Sequence, residues 1–439
     1  LKKDGVYELS FRNTDVVETR DKSLDIEQNI INIHPQAEYH TFLGIGGAFT
    51  ETAALGYGKL SAEKQKEFIR AYFDKTDGIG YTAGRLHINS CDFSVSDYIY
   101  IREGDKTLES FDISHDTENI IPMVKAALGE TELWLFASPW TPPRFMKTVD
   151  AVQGGHLKKE YYRLWARYTA EYIKAYRKNG VEIQGVTVQN EPRHNQMWES
   201  CLYTPEEESE YIGYLYDELK GLNVKILCYD HCRERLFERA EYIFGGKNGA
   251  YCDGIANHWY SGDHFGEIRA VRNRWNGKLQ VASEACCFSA ESGIKTEGIW
   301  SFAEKYAHDI VGALNAGCNA WVDWNLAVDE NNGPSHHREG RNISVDAAVY
   351  CDTSNDRLVY QPTYYYIGHY SRFIRPGAKC IASSSYTEKL EVCAFKNKNG
   401  EIVCVILNRT DKRLPFILRL GNYFLDTAAD GHSIQSIII

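Results

Sequence analysis

Two glutamates stand where hydrophobic, strand-like runs stop: Glu191 follows Val186-Thr187-Val188-Gln189-Asn190, and Glu284 follows Gln280-Val281-Ala282-Ser283. Taken singly, each reads as an ordinary exposed loop glutamate. Taken together they match what glycosidic cleavage needs, a carboxylic acid to protonate the departing oxygen and a carboxylate to attack the anomeric carbon, with about 5 Å between them when configuration is retained. Other residues near such ends suit a sugar. Asn190 can donate to a 2-hydroxyl, an interaction that strengthens in the transition state. Asp92, Trp140 and Trp324 lie at or just past the ends of three further runs, where a carboxylate can grip two hydroxyls and an indole offers an apolar face and an N–H donor. Tyr260 is placed to hydrogen-bond a nucleophile, or to fill the core.

The elements that must carry these residues alternate. Short β-rich runs at Phe42–Gly46, Gly80–Ile88, Leu133–Ser138, Ile183–Gln189, Val224–Tyr229, Gly254–Trp259, Leu279–Ala282 and Ala320–Trp324 are separated by amphipathic stretches such as Ser61–Phe73 and Glu160–Lys178. Thr204-Pro205-Glu206-Glu207 opens another helix with a cap residue, a first-turn proline and early acids. Eight runs with intervening helices predict an α/β fold, a (β/α)8 TIM barrel whose active site lies at the strand C-termini; a linear doubly wound sheet is the alternative. Val6–Phe11 and Lys389–Phe395, Glu401–Leu407, Leu414–Leu420 and Ser433–Ile439 are strand-like without helices between them. They predict a smaller antiparallel side β-domain built from both chain termini. The expected division is 1–40 and 378–439 for that domain and 41–377 for the catalytic barrel, with a long polar loop at 328–360 inserted at the rim, where such loops shape pockets.

Composition sets outer limits. With 439 residues, 43% hydrophobic and 25% charged, the chain has enough apolar material for a large core. A net charge of −11 without a Lys/Arg run argues against nucleic acid or an anionic membrane as partner. No apolar stretch reaches the roughly 18 residues of a membrane span. The chain opens at Leu1 without an n-region and h-region, so a leader is either absent or trimmed. Twelve cysteines without framework spacing favour reduced thiols and a cytoplasmic location, with secretion as the alternative if a leader was trimmed. The sequons at Asn342 and Asn408 are of a kind that arises by chance in chains this long. Gly44-Ile45-Gly46-Gly47 lacks the third glycine of a dinucleotide fingerprint, because Phe49 stands there, and reads as a tight turn. Cys228, His231 and Cys232 lack a second pair of ligands, and His336-His337 reads as substrate-facing or solvated, so no metal and no cofactor is expected.

Several stretches together carry a resemblance: Gly44-Ile45-Gly46-Gly47-Ala48-Phe49-Thr50, Ser90-Cys91-Asp92-Phe93-Ser94, Ala137-Ser138-Pro139-Trp140-Thr141, Asn190-Glu191-Pro192, His258-Trp259-Tyr260, Ser283-Glu284-Ala285-Cys286 and Trp321-Val322-Asp323-Trp324-Asn325-Leu326. From about residue 41 onward the chain resembles glycoside hydrolase family 30, which includes the glucosylceramidases. The resemblance implies Glu191 as acid/base, Glu284 as nucleophile, and Arg85 and Asp230 as a supporting ion pair, with His258 nearby. It implies double displacement through a covalent glycosyl-enzyme and release of a terminal β-glucosyl unit from a β-linked glycoside or oligosaccharide. Endo-β-1,6-glucanase, β-xylosidase and β-fucosidase activities occur in the same family. A catalytically silent carbohydrate-binding protein is the reading from another class, and the presence of both glutamates opposes it. On this assignment Arg85 should depress the pKa of Glu284, and Glu191 should titrate higher. Arg193–Ser200 is shorter than its counterpart in animal glucosylceramidases, and their N-terminal cysteine cluster is missing.

Overall fold

A computed structural model describes residues 17–18, 30–289, 293–294, 299–337 and 344–439, and all structural statements concern these. The expected strand at Val6–Phe11 and the sequon residue Asn342 lie outside them. Eight parallel strands close on themselves: β1 Gly44–Ala48, β2 Ala83–Ile88, β3 Trp134–Pro139, β4 Gly185–Thr187, β5 Lys225–Cys232, β6 Gly254–His258, β7 Leu279–Glu284 and β8 Ala320–Asn325, with β8 pairing both β7 and β1. The barrel interior below the site is filled by Ala83, Phe136, Leu227, Ala256, Val281, Ala320 and Val322. Helices cover the outside, and three of them are started by a capping side chain. Thr50 and Ser61 accept backbone N–H groups at the first two, and Thr204 with Glu207 forms a reciprocal capping box behind Pro205. Among the described residues no helix is long and apolar enough to cross a membrane. All twelve cysteines are buried free thiols.

Three expectations need amendment. The glycine run is not a turn but strand β1 itself; a Cβ on Gly46 would come within 1.7 Å of the Ala83 carbonyl, so glycine is what lets β1 and β2 approach. The side sheet is not purely antiparallel. Ile30–Thr41 lies between Lys379–Ser385, to which it is antiparallel, and Leu414–Leu420, to which it is parallel. Its two neighbours run in opposite directions, so one pairing had to be parallel. The rim segment is also more than a polar loop: Val328–Asp329, Val349–Asp352 and Arg357–Tyr360 form a small sheet, and Ser344–Val345 pairs with Phe288–Ser289. The short run from Ala347 to Cys351 is fully buried there, an apolar island that the surrounding polar composition hides.

Candidate active site

Glu191 and Glu284 both emerge at the C-terminal mouth of the barrel, one past β4 and one ending β7. The strand ends around them are irregular. The β5–β6 ladder shifts register between Tyr229 and His231, and the β6–β7 ladder between Asn257 and His258. Tyr229, Asp230 and Glu191 take left-handed φ values of 72°, 52° and 48°. Bulges and left-handed residues of this kind re-aim side chains at a local energetic cost, and here they turn Asp230, His258 and Glu191 towards one point. The Glu191 N–H is held by the Asp230 carbonyl at 3.0 Å.

Arg85, on β2 and fully buried, organises that point. Its guanidinium donates to Glu284 Oε2 at 2.5 Å, Asp230 Oδ2 at 2.9 Å, Asn190 Oδ1 at 2.8 Å and Ser138 Oγ at 3.1 Å. Asp230 is saturated in turn by Ser138, Thr187 and Ser283 hydroxyls at 2.8, 2.7 and 2.5 Å, with His258 Nε2 at 3.0 Å. Burial alone would raise the Asp230 pKa, but Arg85, His258 and the hydroxyls hold it well below the usual carboxylate range. Glu284 receives a second donor on its other oxygen, Tyr260 Oη at 2.9 Å. A carboxylate with a guanidinium on one oxygen and a phenol on the other is fixed in direction. The sequence reading found Arg85, Asp230 and Tyr260; it missed Ser138, Thr187 and Ser283, whose hydroxyls give no signal until Asp230 is seen among them.

His258 lies between the two glutamates. Its Nδ1 makes no hydrogen bond, and stands 3.7 Å from Glu191 Oε1 and 3.9 Å from Glu284 Oε1. The two carboxylates are therefore no farther apart than those distances laid end to end. Burial pulls the His258 pKa down, yet Glu284, Asp230 and Glu191 outweigh it and raise it to about 9. The expectation that Glu191 titrates high is corrected by the same contact: burial pushes Glu191 up, but the His258 charge and the Gln196 amide, donating to Oε2 at 2.6 Å, hold it below the ordinary carboxylate range. Neither His258 nor Gln196 could be placed beside Glu191 from spacing along the chain. A measurable consequence follows by linkage. A group whose folded pKa exceeds its unfolded value of 6.5 stabilises the fold fully below pH 6.5 and loses that contribution as pH rises through about 9. The urea midpoint is expected to fall from pH 6.5 to pH 9, and His258→Asn to flatten that fall; an unchanged slope in the variant would place the titration elsewhere.

The sugar-facing candidates gather on one side. The Trp140 and Trp324 rings stack at 5.3 Å and 23°, and both flank the Arg85 guanidinium, at 4.8 and 5.4 Å. They are almost wholly enclosed rather than open walls. Trp140 Nε1 donates to Asp92 Oδ1 at 3.1 Å, and Ser335 from the rim segment donates to the Asp92 carbonyl at 2.5 Å. Burial, then the nearby Glu284, Glu199 and Glu191, push the Asp92 pKa well up. Arg85 occupies the Asn190 carbonyl oxygen, which leaves the Asn190 amide N–H2 as the group that can donate to a hydroxyl. All ten sequence-predicted residues thus fall within one constellation, and Gln196 and Glu199 are added to it.

Two close carboxylates, one bound by a cation and one beside an imidazole, with hydroxyl-binding groups and stacked indoles at the mouth of a (β/α)8 barrel, define the site of a glycoside hydrolase. The comparisons agree with the geometry. Residues 42–374 match the glycosyl hydrolase family 30 TIM-barrel domain and residues 377–437 the family 30 beta sandwich domain, so the chain belongs to glycoside hydrolase family 30. It is similar to the lysosomal acid glucosylceramidase of Mus musculus, 33% identical across 93% of this chain and 83% of that one. It is also similar to an endo-1,6-beta-D-glucanase of Neurospora crassa, 27% identical across 92% and 87%. The crystal structure of SrfJ from Salmonella typhimurium superposes with a TM-score of 0.92 at 31% identity, covering 100% of this chain and 98% of that one.

Proposed function

We propose that the protein is a retaining β-glucosidase that removes a terminal β-glucosyl unit, similar in action to a glucosylceramidase. The observation that carries this reading is the unequal treatment of the two glutamates. Glu284 is fixed in direction by Arg85 on one oxygen and Tyr260 on the other, as a nucleophile must be, whereas Glu191 accepts one amide hydrogen bond, from Gln196, and stands among the His258, His194 and His231 rings. Glu284 Oε1 or Oε2 attacks the anomeric carbon while Glu191 protonates the departing oxygen; Glu191 then takes a proton from a water whose oxygen bonds to that carbon as the bond to Glu284 breaks, which frees the Glu284 carboxylate and releases the sugar with its β configuration restored. Glu191 needs a proton that its resting environment disfavours. Sugar binding displaces water from the mouth, and burial is the effect that raises this carboxyl, while His258 keeps a proton 3.7 Å away.

Asp92, which Trp140 and Ser335 fix beneath the rim segment, supports the terminal position. Its carboxyl group, a hydroxyl-binding group in either protonation state, would hold the far hydroxyls of one glucosyl unit and obstruct a continuing chain. The similarity to the Neurospora crassa endo-1,6-beta-D-glucanase favours a second reading, in which the same pair cleaves within a β-1,6-linked chain. Digestion of a long β-linked glucan separates the two, with glucose alone as the expected early product and mixed oligosaccharides as the mark of the endo-acting reading. NMR of the first sugar released from an aryl β-glucoside is expected to show the β-anomer; early α-anomer would reject retention.

A further inference from the structure

A second group of chemically active side chains lies on the rim, outside the glutamate pair. Asp97, Glu199, His336 and His337 offer ligand atoms that all lie within 4.8 Å of one another. They come from three separate loops, those following β2, β4 and β8. His336 Nδ1 lies 2.7 Å from the Ser94 carbonyl, which accepts only from an N–H, so Nδ1 carries the hydrogen. His336 Nε2 is then directed at Asp97 Oδ1, 3.1 Å away, and Glu199 Oε1, 3.3 Å away. His337 Nε2 stands 2.9 Å from Glu199 Oε2. Glu199 is 1% exposed, and its Oε1 makes no hydrogen bond of good geometry.

Without a charge on Nε2, an imidazole lone pair aimed at two carboxylate oxygens would be repulsive, and a buried carboxylate oxygen left without a donor would be costly. A positive charge among the four groups removes both penalties. Two features show which charge fits. A ring nitrogen donating to a backbone carbonyl, as His336 Nδ1 does, is the arrangement that orients a metal-ligating histidine and leaves the other nitrogen free to coordinate. Four ligands at about 2.0–2.1 Å from a tetrahedral ion stand about 3.3 Å from one another; here His336 Nε2 lies 3.1 and 3.3 Å from Asp97 Oδ1 and Glu199 Oε1, His337 Nε2 lies 2.9 Å from the other Glu199 oxygen, and all four ligand atoms fall within 4.8 Å. Two imidazoles with two carboxylates suit a borderline divalent ion of the zinc class better than calcium or magnesium, which take oxygen ligands.

We propose that Asp97, Glu199, His336 and His337 bind one divalent transition-metal ion, which clasps three rim loops together beside the sugar pocket. The ion touches no reacting atom. It ties the segment bearing Ser335, which supports the Asp92 backbone, to the loop bearing Glu199. The rival occupant is a proton on His336 Nε2.

Chelator-treated protein titrated calorimetrically with Zn²⁺ is expected to take up one ion per chain, and Co²⁺ to give the visible bands of a tetrahedral site. His337→Ala and Glu199→Gln should each weaken binding by about a hundredfold, as loss of a ligand or its support does. His156→Ala, which removes only a partner of Glu207, should leave the affinity unchanged, and so should His194→Ala, beside the separate Glu191–His194–His231 group. Circular dichroism identifies any variant that fails to fold; if Glu199→Gln does, His337→Ala carries the comparison. No saturable binding, as a proton alone would give, overturns the proposal. So does binding that survives in folded His337→Ala protein, or that disappears in His194→Ala.

Discussion

Glu284→Ala is expected to lower turnover of every β-glycoside by on the order of 10⁵-fold, the scale on which loss of an enzymatic nucleophile is felt. That is about 7 kcal/mol of transition-state stabilisation. The size follows from the proposed double displacement, in which both steps would pass through a Glu284 ester and neither would survive without it. Glu191→Ala is expected to behave differently. A general acid contributes roughly 10²–10⁴-fold, and the loss should fall on alkyl glycosides, whose leaving groups need the proton, far more than on activated aryl glycosides. Added azide distinguishes the two positions. In Glu191→Ala it intercepts the glycosyl-enzyme and gives the β-glycosyl azide; in Glu284→Ala it attacks the substrate directly from the opposite face and gives the α-azide. Interchanged anomers would mean that the roles are reversed, and wild-type activity in either variant would remove that residue from the reaction.

Arg85→Leu is expected to cost about 3–5 kcal/mol of stability, the range for breaking a buried ion pair by deleting one partner. The leucine would leave Asp230 and Glu284 with only the His258 ring to offset their charges, and would deprive Asn190 and Ser138 of their donor. Activity should fall with stability, because the direction of the Glu284 carboxylate depends on the same bond. Arg85→Lys should recover only part of either loss: an ammonium is a point charge, and it cannot reproduce a planar fork that reaches four acceptors while lying beside two indole rings. Urea unfolding and kcat on an aryl β-glucoside measure both. Full recovery in Arg85→Lys would show that charge alone matters there and that the geometry of the fork does not.

Much of this protein is legible along the chain. The eight barrel strands announce themselves as short apolar runs, and the helices between them by caps and 3.6-residue periodicity, because each signal comes from residues that are neighbours in sequence. Glu191 and Glu284 could be singled out for the same reason: each ends its own run, and a barrel has one functional end. What failed was local evidence with more than one physical meaning. Glycines at 44, 46 and 47 signal a turn or a close strand contact equally well, and only the Ala83 carbonyl across the β1–β2 ladder decides between them. The apolar island from Ala347 to Cys351 was averaged away by its polar surroundings.

The charge states of the site were a tertiary decision. Nothing within the run Gly254–His258 says that His258 will stand between carboxylates contributed by β4, β5 and β7, yet that position sets its proton affinity and depresses Glu191. The same holds for Glu199, which meets His336 and His337, more than 130 positions further along the chain. Electrostatic interactions are strong where water is excluded and fall with distance in space, not in sequence. The chain's periodicity therefore determined which residues reach the barrel mouth, and the closed barrel determined what each becomes there.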